Sequence, residues 1–262
     1  MTGSVKGSLS IALAAGTLLA GLAGSRPARG QDFASEAEIV EGGGHRYRSA
    51  QRFGAELTFG PYRADVDSEF NGRRDPYNAY FGSGRDLMMR FSLEYQFWHR
   101  YGTLAAGLGV GYFTVTGTAP VADGTGLASG DQSTLKVVPF SVSVVYRFDY
   151  FLETAKFPLV PFLKLGPDYA YWSISDGNGN IAIDSTGGHA RGGTLGWHVG
   201  GGMALVIDFL DPDAAHDFDE DLGVNHTAIT FEFYHADISG LGQSNRLHVG
   251  DNNWTLGLLL EF

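Results

Sequence analysis

Seven charged residues recur at alternate positions of strand-like segments, where they share one face with small residues. They comprise four acids and three bases: Glu56, Glu94, Asp168, Glu232, Arg90, Arg147 and Lys164. Acids and bases that converge on one enclosed space can line a selective ion pathway, or they can pair with one another and fill the space. Which of the two applies depends on the strands that carry these residues.

Two other patterns carry weaker chemical signals. The glycines of "GLGVG" at 107–111 lack the full spacing of a dinucleotide-binding loop and lead into more strand, so they predict close packing. The segment at 176–184 begins like a calcium loop, but Ile181 stands where glycine is needed and Gly187 stands where glutamate is needed. We therefore expect no metal site and no cofactor.

Eight segments alternate between apolar and polar residues with a period of two, which is typical of strands. They cover residues 53–60, 86–98, 103–115, 137–148, 161–172, 195–207, 227–235 and 254–262. One face is almost entirely apolar, and the other mixes small and charged residues. Several segments have ten or more residues, enough to cross a bilayer at a tilt.

Aromatic residues fall near both ends of the apolar face, as expected for two membrane interfaces. The set at one end is Tyr112, Tyr171, Trp197 and Trp254, and the set at the other end is Phe97, Phe148, Phe209 and Phe262. The connections also sort by side. Long polar segments lie on one side, at 63–84, 116–133, 174–193 and 237–251.

The opposite side has shorter connections, apart from the acidic segment 208–225. This segment predicts a short helix with Asp211 as N-cap, Pro212 at the first helical position and Gly223 as its stop. Its acidic residues are interpreted as a solvated helix face. The alternatives are attraction of divalent ions and a docking site for a periplasmic partner.

The last nine residues, "WTLGLLLEF", place apolar side chains at every second position up to a terminal phenylalanine. This run resembles the C-terminal strand signal of bacterial outer-membrane β-barrels, which the barrel-assembly machinery reads. The matching residues are Trp254, Leu256, Leu258, Leu260 and Phe262. The resemblance implies a location in the cell outer membrane, in contact with its lipid and lipopolysaccharide.

These features predict an all-β fold, a transmembrane antiparallel up-and-down β-barrel over residues 53–262. Eight strands are expected, with ten as the alternative. A barrel of eight strands is just wide enough for its own side chains. We therefore expect the seven charged residues to pair and largely fill the lumen; the alternative is a selective channel lining.

The first 30 residues combine a basic start at Lys6 with an apolar stretch at 9–24 and small residues ahead of Gln31. This pattern predicts a cleaved signal peptide, followed by a mobile periplasmic lead-in at 31–52; a retained anchor is the alternative. Cleavage would leave 15 basic against 29 acidic residues, and this net charge of −14 argues against nucleic acid as a partner. The absence of cysteine excludes disulfides and thiolate metal sites.

The segment "FYHADISG" at 233–240 resembles part of the outer-membrane lipid A deacylases, small barrels with a His-x-Ser pair near the outer end of a late strand. His235 matches the histidine, but Asp237 stands where that family has serine, and the nearest hydroxyl is Ser239. The resemblance implies a lipid-modifying hydrolase that uses His235 and Ser239. The alternative is an interfacial histidine without catalysis.

We expect a non-enzymatic protein with a structural, adhesive or small-solute passage role. The lipid-modifying hydrolase is the alternative from another functional class. Fold alone does not decide between them.

Overall fold

The computed structural model describes residues 52–70, 73–120, 128–183, 187–243 and 246–262, all within one compact unit, Arg48–Phe262. The predicted signal peptide at 1–30 and the lead-in up to residue 51 lie outside the described residues.

Eight antiparallel strands form a closed barrel in which each strand pairs with its neighbours in the sequence. The strands are β1 (Phe53–Tyr62), β2 (Asp86–His99), β3 (Thr103–Pro120), β4 (Ala128–Arg147), β5 (Leu159–Asp176), β6 (Arg191–Val206), β7 (His226–Asp237) and β8 (Asp251–Glu261). Pairing of β1 with β8 closes the ring, so each of the eight described strands has a paired neighbour on both sides. The predicted fold class is confirmed, with eight strands.

The alternation along each strand separates an apolar outer surface from the lumen. Leu87 and Leu108 face outward and are each 67% exposed, whereas Glu56 and Glu94 face inward and are 2% and 3% exposed. A water-soluble protein buries its large apolar side chains and exposes its charges. This barrel does the reverse, as a lipid-facing barrel must.

Short helices occupy the connections. A 3₁₀ helix (Val66–Phe70) and α1 (Pro76–Phe81) lie between β1 and β2, α2 (Tyr150–Ala155) follows β4, and α3 (Pro212–Leu222) follows β6. The helix predicted in 208–225 is present and ends where Gly223 takes a φ of 71°. None of the helices in the described ranges has the length and apolar character to cross a membrane.

Two hairpins extend further than the sequence predicted. Strands β3 and β4 run to Pro120 and from Ala128, so they occupy much of the segment assigned to a loop at 116–133. Strands β5 and β6 also extend beyond their predicted ends, to Asp176 and from Arg191, but they leave most of the segment 174–193 outside the strands. The apolar alternation stops at the membrane boundary, but the backbone ladder continues in solvent, where side chains such as Thr116 and Thr134 pair across it at 2.9 Å.

The lumen is apolar at both ends, which corrects the expectation of a polar interior throughout. The cluster at the end that carries the long connections, here named the outer end, comprises Tyr62, Ala64, Val66, Tyr77, Met88, Phe113, Val115, Leu135, Val137, Ala170, Ala236, Ile238 and Val249. A smaller cluster at the opposite end comprises Val160, Phe162, Ala204, Val206, Ala228 and Leu259. The charged residues lie between these two apolar layers.

Candidate functional site: the lumen and the outer rim

The central ion pair of the lumen crosses the barrel. Lys164 on β5 donates its ammonium to Glu56 on β1, and these two strands stand opposite each other in the ring of eight. Glu232 adds a second carboxylate 3.5 Å from Lys164 Nζ. The hydroxyl of Thr230 donates to the other oxygen of Glu56 at 2.8 Å. A charge that bridges opposite walls in this way obstructs the lumen directly.

A second ion pair fills the lumen beside the first. Arg147 on β4 donates to Glu94 on β2, and Glu261 on β8 approaches the same guanidinium at 3.7 Å. The amide of Gln96 donates to Glu261 at 3.0 Å. The carboxylates around Arg147 are thus held by donors in a buried space, as buried charges require.

The third polar group of the lumen joins two predicted residues to partners that the sequence analysis did not name. His198 Nδ1 lies 3.0 Å from a carboxylate oxygen of Asp168, and His198 Nε2 lies 3.0 Å from the hydroxyl of Ser143. The Tyr234 ring stacks on His198 with centroids 5.4 Å apart. The Arg90 guanidinium lies 3.8 Å over the Tyr234 ring.

All seven charged residues selected from the sequence therefore face the lumen, where six join two ion-pair groups and one hydrogen-bonded group, and Arg90 stacks on Tyr234. His198 and Tyr234 were missed because the search was restricted to charged residues. Their signal was available, because His198 lies two residues from Gly200 and Tyr234 lies two residues from Glu232. Both therefore stand at inward positions of their strands.

Little open space remains between these side chains. A cavity of about 50 Å³ is left in the lumen, lined by Arg90, Ser143, Lys164, His198 and Glu232 among others. That volume holds about two water molecules. The lumen is therefore a small polar chamber between two apolar layers.

The predicted aromatic residues face outward at the two ends of the barrel. At the outer end Tyr171, Trp197 and Trp254 are exposed and Tyr112 is partly exposed; at the other end Phe97 and Phe209 are exposed, and Phe148 and Phe262 are partly exposed. Together they border the apolar surface on both sides.

The terminal segment forms the strand that closes the barrel. Trp254, Leu256 and Leu258 project outward and are exposed. The backbone N–H of Phe262 donates to the carbonyl of Phe53 at 2.9 Å, and the N–H of Phe53 donates to the Phe262 carbonyl at 2.7 Å. The last residue is therefore bonded to the first residue of β1.

A cleft of about 500 Å³ opens at the outer rim, between the β1–β2 and β7–β8 connections. His235 and Ser239 both line it. Within the described residues no hydrogen bond joins them. Instead His235 Nδ1 lies 2.5 Å from the side-chain oxygen of Asn252 on the neighbouring strand. The chain turns at Gly240 and Leu241, which have positive φ, beyond the point where a turn would bring Ser239 back to His235.

The rest of the cleft wall is mostly polar, beside the apolar Ala236 and Ile238, and both of its arginines are paired. Arg85 bonds to Asp251 at 2.8 Å, Arg63 bonds to Asp67 at 2.6 Å, and Ser68 Oγ lies 2.9 Å from His248 Nδ1.

Beneath the cleft, Tyr77 is buried over the outer end of the lumen with the Arg63 guanidinium 5.0 Å from its ring centre. Burial raises the pKa of the Tyr77 phenol to about 12.

The sequence matches no family model and no curated protein. Among solved structures the barrel is similar to a major outer membrane protein from Thermus thermophilus (15% identity, 82% of this chain and 100% of that chain, TM-score 0.44). It is also similar to the outer membrane protein OprG from Pseudomonas aeruginosa (11%, 81% and 96%, TM-score 0.42). A third is Neisserial surface protein A (11%, 82% and 98%, TM-score 0.40).

Proposed function

We propose that this chain is an outer-membrane β-barrel with a closed lumen, a structural or adhesive protein that works through its outer end. The single observation that carries the proposal is the Lys164–Glu56 pair, which joins opposite walls of the barrel. A pathway for solutes would have to break this pair and pass two apolar layers. This arrangement favours a structural or adhesive role over solute passage.

The outward surface supports the membrane location. Large apolar side chains such as Leu108, Val142 and Phe233 are each about half exposed or more, and aromatic residues border them at both ends. In water this surface would be an aggregation hazard, whereas in lipid it is the stable arrangement. The closed ring leaves no backbone group unpaired at a strand edge in hydrocarbon.

The outer end supports a surface role. It carries the 3₁₀ helix, α1 and the extended β3–β4 hairpin, and it holds the large cleft of the barrel rim. A cleft of this size suits a small ligand or a segment of a partner. Its paired charges offer polar contacts without a strong preference for one sign.

Single-channel recording tests the closed lumen. Refolded protein in a planar bilayer is expected to give no resolved conductance steps over the range of potentials that the bilayer tolerates. The matched variant is Lys164→Ala with Glu56→Ala, which removes the bridge across the lumen and keeps the outer surface unchanged. Ohmic steps from the wild-type protein would refute the closed-lumen proposal.

A lipid-modifying hydrolase at the rim is the second candidate, favoured by the observation that His235 and Ser239 line one cleft. It predicts release of fatty acid from lipopolysaccharide, measured by mass spectrometry, that is lost in both His235→Ala and Ser239→Ala. Ser68→Ala is the matched control in the same cleft. We expect no release, because the histidine is engaged by Asn252 and lacks a hydroxyl partner at Ser239.

A docking site at the opposite end is a further part of the proposal. Helix α3 exposes Phe218 and Leu222, one helical turn apart, in an acidic segment. Crosslinking from position 218 to periplasmic proteins, with crosslinking from Lys136 on β4 as the control, tests whether a partner binds there. Equal patterns from both positions would contradict a specific partner.

A further inference from the structure

Ser143, His198 and Asp168 form a hydrogen-bonded chain across three consecutive strands of the lumen. Ser143 lies on β4, Asp168 on β5 and His198 on β6. The two distances, from Nε2 of His198 to Oγ of Ser143 and from Nδ1 to the Asp168 carboxylate, are each 3.0 Å. Neither partner of the histidine is close to it in the sequence.

The chemistry of the partners fixes the direction of these bonds. A carboxylate that is ionised can only accept, so an imidazole that carries a single proton holds it on Nδ1 and donates to Asp168. Nε2 is then an acceptor, and the Ser143 hydroxyl donates to it. This is the order in which a hydroxyl, a general base and an orienting carboxylate act in nucleophilic catalysis.

Gly166 makes the contact between Ser143 and His198 sterically feasible. It lies on β5 between the two strands, in register with His198, where the ladder between β4 and β5 is interrupted. A Cβ atom at Gly166 would lie 1.8 Å from the Val142 carbonyl oxygen and 3.1 Å from the Ser143 Cα atom. Without a side chain at 166, Ser143 and His198 can meet across the intervening strand.

The imidazole is held by more than its two hydrogen bonds. The Tyr234 ring lies nearly parallel to it, with an interplanar angle of 14°, and the Tyr234 hydroxyl donates to the other oxygen of Asp168 at 3.4 Å. Arg90 covers the Tyr234 ring. A buried carboxylate fixed beside the ring would stabilise the imidazolium that forms when the histidine takes a proton.

We propose that Ser143, His198 and Asp168 are a nucleophilic centre that cleaves small carboxylic esters inside the lumen. Ser143 Oγ attacks the carbonyl carbon, and its proton passes to Nε2 of His198. The ester C–O bond breaks, and the alcohol leaves with that proton. Water then attacks the acyl carbon and gives a proton to Nε2 of His198. The bond between that carbon and Ser143 Oγ breaks, His198 returns the proton to Oγ, and the carboxylic acid leaves.

The cavity beside Ser143 sets the class of substrate. Its volume of about 50 Å³ admits a short acyl group such as acetyl and excludes long acyl chains. The centre goes beyond the closed-barrel role. A small neutral ester has to pass only one of the two apolar layers to reach Ser143, whereas a solute crossing the barrel has to pass both and break the Lys164–Glu56 pair. It also departs from the non-enzymatic role predicted from the sequence.

Methanesulfonyl fluoride, a very small serine-directed reagent, tests the centre in the refolded full-length barrel. An activated serine oxygen forms a bond to its sulfur as fluoride leaves. Peptide mapping by mass spectrometry is expected to find the methanesulfonyl group on Ser143. Ser141 lines the same cavity on the same strand but is not bonded to the histidine, so it is the internal control and is expected to remain unmodified.

Variants then assign the roles. His198→Ala and Asp168→Asn are expected to slow modification of Ser143 by at least about 100-fold, as loss of a general base or its orienting group does. Thr134→Ala, on the same strand but outside the cavity, is expected to leave the rate unchanged. The shift in gel mobility between folded and heat-unfolded barrel shows which variants have folded, and only those are compared.

Turnover is followed as acetate released from methyl acetate by NMR, and it is expected in the wild-type protein and absent in Ser143→Ala. The proposal is overturned if Ser143 in the folded wild-type barrel is unmodified, or is modified no faster than Ser141. That comparison within one molecule holds even if the His198 and Asp168 variants fail to fold.

Discussion

Replacing Lys164 by methionine should lower the free energy of unfolding by about 3–5 kcal/mol, the range for removing one partner of a buried ion pair. Lys164 is buried, donates to Glu56 and lies 3.5 Å from Glu232. The substitution removes the only ammonium that serves both carboxylates in the described part of the lumen. It therefore leaves two acids close together without a counter-charge.

The expected loss of unfolding free energy in Lys164→Met comes from unpaired charge rather than from packing. Methionine has nearly the length and volume of lysine, so the cavity term is small. The cost is that of carboxylates held away from water without a partner. Adding Glu56→Gln to Lys164→Met removes one stranded charge and should recover part of the loss. The difference between the double variant and the sum of the singles gives the coupling energy.

Urea unfolding of the refolded barrel in detergent micelles measures these changes, with the gel-mobility shift as the readout of the folded fraction. Lys136→Met is the matched control, because Lys136 is an exposed lysine on β4 and its loss should stay within about 0.5 kcal/mol. If the free energy of unfolding of Lys164→Met were within about 1 kcal/mol of that of the control, Lys164 and Glu56 would not form an ion pair that is shielded from water.

Four further outcomes are expected. Tyr77→Phe should be neutral at pH 7, since its buried hydroxyl has no partner among the described residues, and should increase stability at alkaline pH. Burial raises the pKa of Tyr77 from 10, its ordinary value, to about 12 in the folded protein. The contribution of the neutral phenol to stability is therefore complete below pH 10 and is lost as the pH rises through 12. Urea unfolding at pH 7 and pH 11 checks this. Gly166→Ala should lower the free energy of unfolding by about 1–3 kcal/mol in the same assay, because the new methyl group overlaps the Val142 carbonyl. Leu260→Asp, or deletion of Phe262, should reduce the protein in outer-membrane fractions, and normal levels would contradict the terminal-signal interpretation. An Asp-specific protease added to whole cells should cut the outer connections and spare 208–225, and cleavage there would indicate the inverted orientation.

The sequence was sufficient to predict which face each strand segment presents. In β7 the alternation of Phe231 and Phe233 with Glu232 places the aromatic rings outside and the carboxylate inside, as the structure has them. Successive side chains of a strand point to opposite faces. The assignment of each residue to the inner or outer face is therefore reliable wherever a strand is correctly placed in the sequence. Strand number and closure followed from counting such segments.

Two properties of the inward side chains could not be predicted in the same way: their level along the barrel axis, and the residue with which each one pairs. Parity places Glu56 and Lys164 in the lumen, but they are 108 residues apart, and only the stagger of the strands brings them to one level. The outer apolar layer was missed for another reason. Phe113 lies two residues after Gly111, so the alternation of β3 does point its ring into the lumen, but the sequence analysis considered only charged residues at inward positions.

The buried charges of this barrel bear on its register more than on its stability. Replacing a buried ion pair by apolar residues is often neutral or stabilising, so stability alone does not explain why Lys164 and Glu56 are charged. A slip of β5 by one residue would turn Lys164 and Asp168 toward lipid and Leu163 and Leu165 toward the lumen. A lysine on the lipid face costs about 2–4 kcal/mol at mid-membrane, and Glu56 would lose its partner as well. Because the two apolar layers would accept many arrangements of leucine and valine, the charged layer between them is the part of the lumen that penalises every register but one.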